Sequence, residues 1–192
     1  MAQTKDELRA RLLAARRARS APAVAAERAA LCAHVLARVA ARGDRCVAGY
    51  EPFRTEPGSV ELLAGLHLAG VRVLVPVTLP DRDLDWRVWT PPEGGREAPA
   101  ALLGRAAVSA ADLVLAPALA VAADGTRLGR GGGSYDRALR RLGPDTEIAA
   151  LVFGDEFVPS LPHDPWDVPV TAVVTPTGWT RVGRNTGVGL GD

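Results

Sequence analysis

At 192 residues, with 47% hydrophobic and 23% charged side chains, the chain has the composition of a protein that buries a continuous core. Its 23 Lys and Arg are offset by 22 Asp and Glu, a formal net charge of +1, so no global field draws it to nucleic acid or membrane and any anion site must be local. The two cysteines, Cys32 and Cys46, fit neither a zinc site nor a disulfide framework and are expected to be reduced packing residues.

The first twenty residues are rich in charge and lack the apolar core of a secretory signal. No apolar run reaches the roughly 20 residues that span a bilayer, and a cytoplasmic location is expected. Thr4-Lys5-Asp6-Glu7 has the pattern of a capping box, which predicts a helix from there to about Arg19. Leu8, Leu12 and Ala15 form its apolar stripe, with Lys5, Arg9 and Arg16 on the stripe beside it. Pro22 marks a second helix, with Val24, Leu31, Val35 and Val39 inward and Gly43 at its end.

After Gly43 short apolar runs predict strands at 46–50, 71–75, 113–116, 148–153 and 172–175, with helices over 59–69 and 135–142 stopped by Gly70 and Gly143. In residues 84–90, Leu84, Trp86 and Val88 alternate with Asp85, Arg87 and Trp89, the pattern of a strand with one face in water, read as an antiparallel edge. Residues 91–101 are read as a surface loop and 183–192 as a flexible Gly-rich tail. The rhythm predicts one domain over 1–182, a three-layer α/β/α arrangement with a mainly parallel sheet and an antiparallel edge, preceded by two N-terminal helices. Right-handed crossovers point parallel strands the same way, so the loops at 51–58, 76–83 and 117–134 should meet along one sheet edge.

The last of these loops carries the sharpest signal, Arg127-Leu128-Gly129-Arg130-Gly131-Gly132-Gly133-Ser134-Tyr135-Asp136-Arg137. Four glycines in five positions let successive N–H groups point into one concave nest, the next helix adds its positive end, and three arginines supply charge for phosphate oxygens. Asp136 beside such anions would be repelled unless a divalent cation lay between, which makes it a candidate Mg²⁺ ligand. A P-loop is excluded because no Gly-Lys-Ser/Thr follows, and the dinucleotide fingerprint fits poorly with Ser134 at its third glycine. The blander alternatives are a flexible glycine loop with solvated arginines and an RNA-binding Arg-Gly stretch. No histidine (His34, His67, His163) is given a role, and Trp86, Trp89, Trp166 and Trp179 are expected to pack in the core or at edges.

The run from Asp124 to Arg137 resembles the signature of the 5-formyltetrahydrofolate cyclo-ligase family. Lys5 and Arg9, the Tyr50-x-Pro52-Phe53-x-x-Glu56 segment and Trp166-Asp167-x-Pro169 agree with it in order, and the likeness extends to about Thr175. The resemblance implies that ATP phosphorylates the formyl oxygen of 5-formyltetrahydrofolate and that the folate's anilinic nitrogen closes the ring to 5,10-methenyltetrahydrofolate. It implies ATP phosphates on Lys5, Arg9 and the stretch from Arg127 to Tyr135, with Arg130 and Tyr135 catalytic. Folate contacts fall on Arg130, Gly131, Gly132, Gly133 and Ser134, and on Glu56 and Glu51 at the pterin. Mg²⁺ is implied on Asp136. The sequence departs from the family at Ser134, where many relatives carry Tyr, and at Thr171, where an acid associated with the metal is common, which leaves that second role to Asp167 or to Asp136 alone. Expected partners are ATP and a reduced folate, with no nucleic acid and no membrane, acting on a monomer. The rivals are another nucleotide-dependent transferase or sugar-phosphate enzyme of similar architecture, and an Arg-Gly nucleic-acid module.

Overall fold

A computed structural model describes residues 4–92 and 101–183. The loop expected at 91–101 and the tail expected at 183–192 fall almost wholly outside those residues. Helix α1 (Lys5–Ala18) opens on the expected capping box: the Thr4 hydroxyl accepts from the Glu7 N–H at 3.3 Å and the Glu7 carboxylate accepts from the Thr4 N–H at 2.9 Å. Helix α2 (Ala21–Arg42) is capped by Ser20, carries Pro22 in its first turn, and ends on Gly43 in the left-handed conformation.

Strand β1 (Cys46–Ala48) is followed by α3 (Val60–Leu68), β2 (Arg72–Thr78) and β3 (Leu84–Val88). Then come β4 (Leu113–Pro117), β5 (Ala120–Ala122), β6 (Arg127–Leu128), α4 (Ser134–Leu139), β7 (Glu147–Leu151), β8 (Phe157–Val158), β9 (Ala172–Thr175) and β10 (Gly178–Arg181). The main sheet runs β10-β9-β7-β4-β1-β2-β3, parallel at its centre, with β3 and β10 antiparallel at the two edges. A second sheet, β6-β5-β8, is built from the segment read as the ligand-binding loop 117–134 and from a two-residue strand after β7.

Alternate residues of the central strands enter two cores. Val47, Leu113, Leu115, Ala149 and Leu151 face the side covered by α2 and α3 through Leu31, Val35, Val39, Leu62, Leu63 and Leu66. Ala48, Val114, Ala116, Ile148 and Ala150 face the side covered by Val108 of the short 3-10 helix at Arg105–Ala110, by Ala138 and Leu139 of α4, and by the small sheet. Burial on both faces explains why these strands read as continuous apolar runs. The second covering layer is thinner than the three-layer expectation, since α4 has six residues and ends at Leu139, not Leu142.

Two expectations of facing need correction. Trp89, placed by alternation on the wet face of the edge strand, is buried, in keeping with the packing expected of the tryptophans, because its N–H bonds to the Val73 carbonyl beyond the end of β3 and its ring packs edge-on to His67. In α1, Ala15 is exposed and Arg16 is buried, so the covered face is turned toward the cations. What α1 packs on is partly anionic: Arg16 Nε and Nη2 each donate at 2.8 Å to Glu156, the two side chains being 1% and 2% exposed. Arg16 Nη2 also reaches the Ala118 carbonyl at 2.6 Å, and Arg19 pairs with Asp155.

The chain builds β1, β2 and β3 outward in one direction and then returns to place β4, β7 and β9 in the other. A switch point therefore lies between β1 and β4, and the crevice outside their carboxyl ends is where open α/β sheets take ligands.

Candidate functional site

A cavity of about 680 Å³ occupies that crevice. The loop after β1 supplies Tyr50, Glu51, Phe53 and Glu56, β2 supplies Pro76 and Thr78, and the stretch after β4 supplies Pro117 to Leu119 and the glycine loop. The three expected loops do meet. Helix α1 closes one wall with Lys5 and Arg9, and Asp164, Trp166 and Asp167 complete it.

Among the glycines, Gly131 (φ +99°) and Gly133 (φ +67°) take the left-handed backbone that favours glycine, whereas Gly129 and Gly132 do not. A Cβ on Gly131 would lie 3.3 Å from the Arg9 guanidinium carbon, so this glycine also lets α1 approach the loop. Arg9 Nε donates to the Gly129 carbonyl at 3.0 Å. With α4 only six residues long, an anion at this loop would depend on loop amides and guanidinium groups more than on a helix end. Gly125, at the start of the motif, has φ +85° and would place a Cβ 2.5 Å from the Val170 carbonyl oxygen, so the strap between β5 and β6 is closed to larger residues.

Every expected site residue lines the cavity, and the charged ones are already paired, some with one another and some with neighbours such as Arg87 and Asp6. Arg127 Nη2 donates to Asp136 at 2.8 Å and its Nη1 to the Pro117 carbonyl at 3.2 Å. Arg130 Nε donates to Glu56 at 3.1 Å, with its guanidinium 4.9 Å from the centre of the Phe53 ring. Glu56 is itself buried, and its second oxygen accepts from the Phe53 N–H at 2.9 Å. Glu51 is clasped by Arg87 through two contacts of 2.8 Å. Lys5 Nζ reaches Asp164 at 2.7 Å and Asp167 at 2.5 Å. Against the desolvation that would lower it, those two hydrogen bonds hold the Lys5 ammonium above its ordinary pKa. Desolvation would raise the Asp167 carboxyl, but the hydrogen bonds from Lys5 and the Asp164 N–H and the nearby Lys5 and Arg127 charges together hold it below the usual carboxylate range. Desolvation drives the Tyr135 hydroxyl far above its ordinary value, and the neighbouring Tyr50 adds to it, so this phenol stays protonated.

Thr171 lies outside the cavity: its hydroxyl donates to the Ile148 carbonyl at 3.1 Å and accepts from the Ile148 N–H at 2.9 Å, which ties it to β7. Asp136 and Asp167 do line the cavity, one accepting from the Val168 N–H at 3.2 Å and the other from the Asp164 N–H at 2.8 Å. Among the described residues no three His, Cys, Asp or Glu side chains come together as a metal cage. That donor set fits a Mg²⁺ brought in on phosphates, which needs only one or two carboxylates plus water.

Sequence reasoning missed several contributors. Phe53, 65% exposed at the cavity, sat in a quoted motif segment without a role, and Trp166, expected to pack, is 62% exposed there instead. Arg28 of α2 donates to the carbonyls of Phe53, Arg54 and Glu56, gathering the turn that presents Phe53 and Glu56; nothing local marked it. Arg140, at the C-terminal cap of α4, lines the cavity beside the expected Arg137, a pairing that their i, i+3 spacing could have revealed. The histidines lie apart: none lines the cavity, and His34 contacts the Pro176 carbonyl at 3.2 Å.

A family model described as the 5-formyltetrahydrofolate cyclo-ligase family matches residues 1–176. The chain is 40% identical over 143 residues to the 5-formyltetrahydrofolate cyclo-ligase of Mycolicibacterium smegmatis, covering 69% of this chain and 74% of that protein. Its fold is similar to that of a 5,10-methenyltetrahydrofolate synthetase from Mycoplasma pneumoniae, with a TM-score of 0.75 at 21% identity over 89% of this chain and 98% of the other. The NMR structure of the Aquifex aeolicus 5,10-methenyltetrahydrofolate synthetase gives a TM-score of 0.72 at 23% identity, covering 99% and 97%.

Proposed function

Because the chain belongs to the 5-formyltetrahydrofolate cyclo-ligase family, we propose that it converts 5-formyltetrahydrofolate to 5,10-methenyltetrahydrofolate with ATP as co-substrate and Mg²⁺ as the accompanying ion. ATP gives its γ-phosphoryl group to the formyl oxygen and leaves as ADP. The anilinic nitrogen attacks the formyl carbon, the carbon–oxygen bond breaks, and phosphate departs while that nitrogen's proton passes to solvent. An amide-like oxygen is a poor leaving group and phosphate a good one, so the protein has to position and neutralise charge and needs no nucleophile of its own.

The reading is carried by one observation: a single cavity gathers the glycine loop, the cations Lys5, Arg9, Arg127 and Arg130, and the buried acid Glu56. In this proposal the loop amides from Arg127 to Tyr135 cradle the phosphates while Lys5 and Arg9 reach them from α1. Arg130 leaves Glu56 for the migrating phosphoryl group, and the freed carboxylate accepts two N–H bonds from the aminopyrimidine edge of the pterin. Tyr135, kept protonated by burial, donates to a phosphate oxygen and does not act as a base. Ser134 and the backbone of Gly131 to Gly133 lie along the folate, and Glu51 borders it beside Arg87. The ion would be held by Asp136 and Asp167 and would neutralise charge on the phosphoryl oxygens.

Incubating the purified chain with 5-formyltetrahydrofolate, ATP and Mg²⁺ should raise the absorbance of the methenyl product, and omission of any one component should abolish it. Folded protein that gives no product under these conditions removes the proposal. Glu56→Gln should weaken folate by roughly tenfold, the loss of one charge-assisted bond, and leave the KM for ATP unchanged or lower, since Arg130 is freed. Equal losses for both substrates in steady-state kinetics would place Glu56 elsewhere in the reaction.

A further inference from the structure

The cavity has two ends, and each carries one exposed aromatic ring. Contacts order it. Trp166 stands in the turn whose flanking acids, Asp164 and Asp167, hold Lys5. One helical turn on from Lys5, Arg9 touches Gly129. Beyond the glycine loop Arg130 touches Glu56 and Phe53. The glycine loop thus lies between a Trp166 end and a Phe53 end.

Of the four tryptophans, Trp86 and Trp89 are buried in the cores and Trp179 is half-buried under Arg38, 5.5 Å away. Trp166 alone is mostly exposed, at 62%. Its backbone, by contrast, is fixed. Arg140 donates to its carbonyl at 2.5 Å, Asp167 N–H bonds to the Asp164 carbonyl at 3.0 Å, and the Val168 N–H is held by Asp136 at 3.2 Å. Pro165 restricts the chain just before it. A large indole presented on a pinned turn beside phosphate-binding groups is pre-organised for a flat ligand.

We infer that Trp166 is the stacking platform for the base of the nucleotide, and so a residue that favours purine over pyrimidine triphosphates. The inference rests on the reading that phosphates occupy the glycine loop and the pterin meets Glu56, which leaves the Trp166 end for the nucleoside. Stacking uses the whole face of a ring and discriminates by its area, so ATP outcompetes CTP or UTP without any contact to the base edge.

The test is binding to the full chain without folate. A non-hydrolysable ATP analogue with Mg²⁺ should quench the tryptophan fluorescence of the native protein, and Trp166→Phe should lose the quench yet bind within about threefold of native affinity, since phenylalanine still stacks. Trp166→Ala should weaken ATP about tenfold by calorimetry while inorganic tripolyphosphate binds as before. In turnover the KM for ATP should rise while the KM for folate holds. Undiminished ATP affinity in Trp166→Ala, an equal loss for tripolyphosphate, or a loss that appears in the folate KM overturns the inference. If the native chain binds no ATP at all, the phosphate reading falls and takes this one with it.

Discussion

Arg130→Ala should lower kcat/KM by about 10² to 10³-fold, the scale seen when one pre-organised donor to a developing anion is removed. Its melting temperature should barely move. The Arg130 side chain is 43% exposed and, among the described residues, pairs with Glu56 and lies over Phe53; the buried Glu56 keeps the Phe53 N–H, so losing the pair costs about 1 kcal/mol of folding. Arg130→Lys should recover part of the rate and not all of it, since lysine keeps the charge and lacks the planar fork that meets two phosphate oxygens. Methenyl absorbance gives the rate and a thermal melt gives the control. Unchanged kinetics in the alanine variant would take Arg130 out of the chemistry, and a collapse of stability would mean that its partnership with Glu56 is structural.

The second large effect lies away from the cavity. Arg16 and Glu156 form a two-point ion pair almost without solvent, and removing either partner strands a charge, which costs roughly 3 to 5 kcal/mol. For a chain of this size that corresponds to a fall in melting temperature of about 10 °C. The Glu156→Ala variant should be the worse of the two, because Arg16 would retain only the Ala118 carbonyl and the Phe153 ring, 5.6 Å from its guanidinium carbon. In Arg16→Ala, Glu156 still accepts from the Phe153 N–H at 2.9 Å. The double variant Arg16→Met, Glu156→Leu should regain most of the stability, as buried pairs replaced by apolar side chains often do. A double variant that melts as low as the singles would show that the pair is more than a mutually neutralised pin.

What could be read in the sequence was local. The capping box of α1, Gly43 at the end of α2 and the glycine loop each depend on a few neighbouring residues and stand where expected. The meeting of three loops also followed from strand rhythm, because handedness leaves parallel strands little choice. The burial of Arg16 was invisible, since its partner is 140 residues away and charge at helical spacing normally signals a wet face. Strands of two to four residues such as β5, β6, β8 and β10 are too short to show a period, so the second sheet and the far antiparallel edge were missed. Trp89 misled because alternation was extended one residue past β3. Phe53 went unassigned and Trp166 was expected to pack, because exposure is set by what long-range packing leaves uncovered, and no pattern within their own segments records it.

The internal pairing of the cavity bears on what the protein ignores. Lys5, Arg127 and Arg130 each hold a carboxylate of the protein itself, so an arriving anion must displace a tethered competitor. A small free ion such as inorganic phosphate or chloride offers too few contacts to win several such exchanges at once, whereas a polyphosphate chain can take them in succession. Guarded in this way, the cavity should stay open to the proposed polyphosphate substrate in the presence of simple salts.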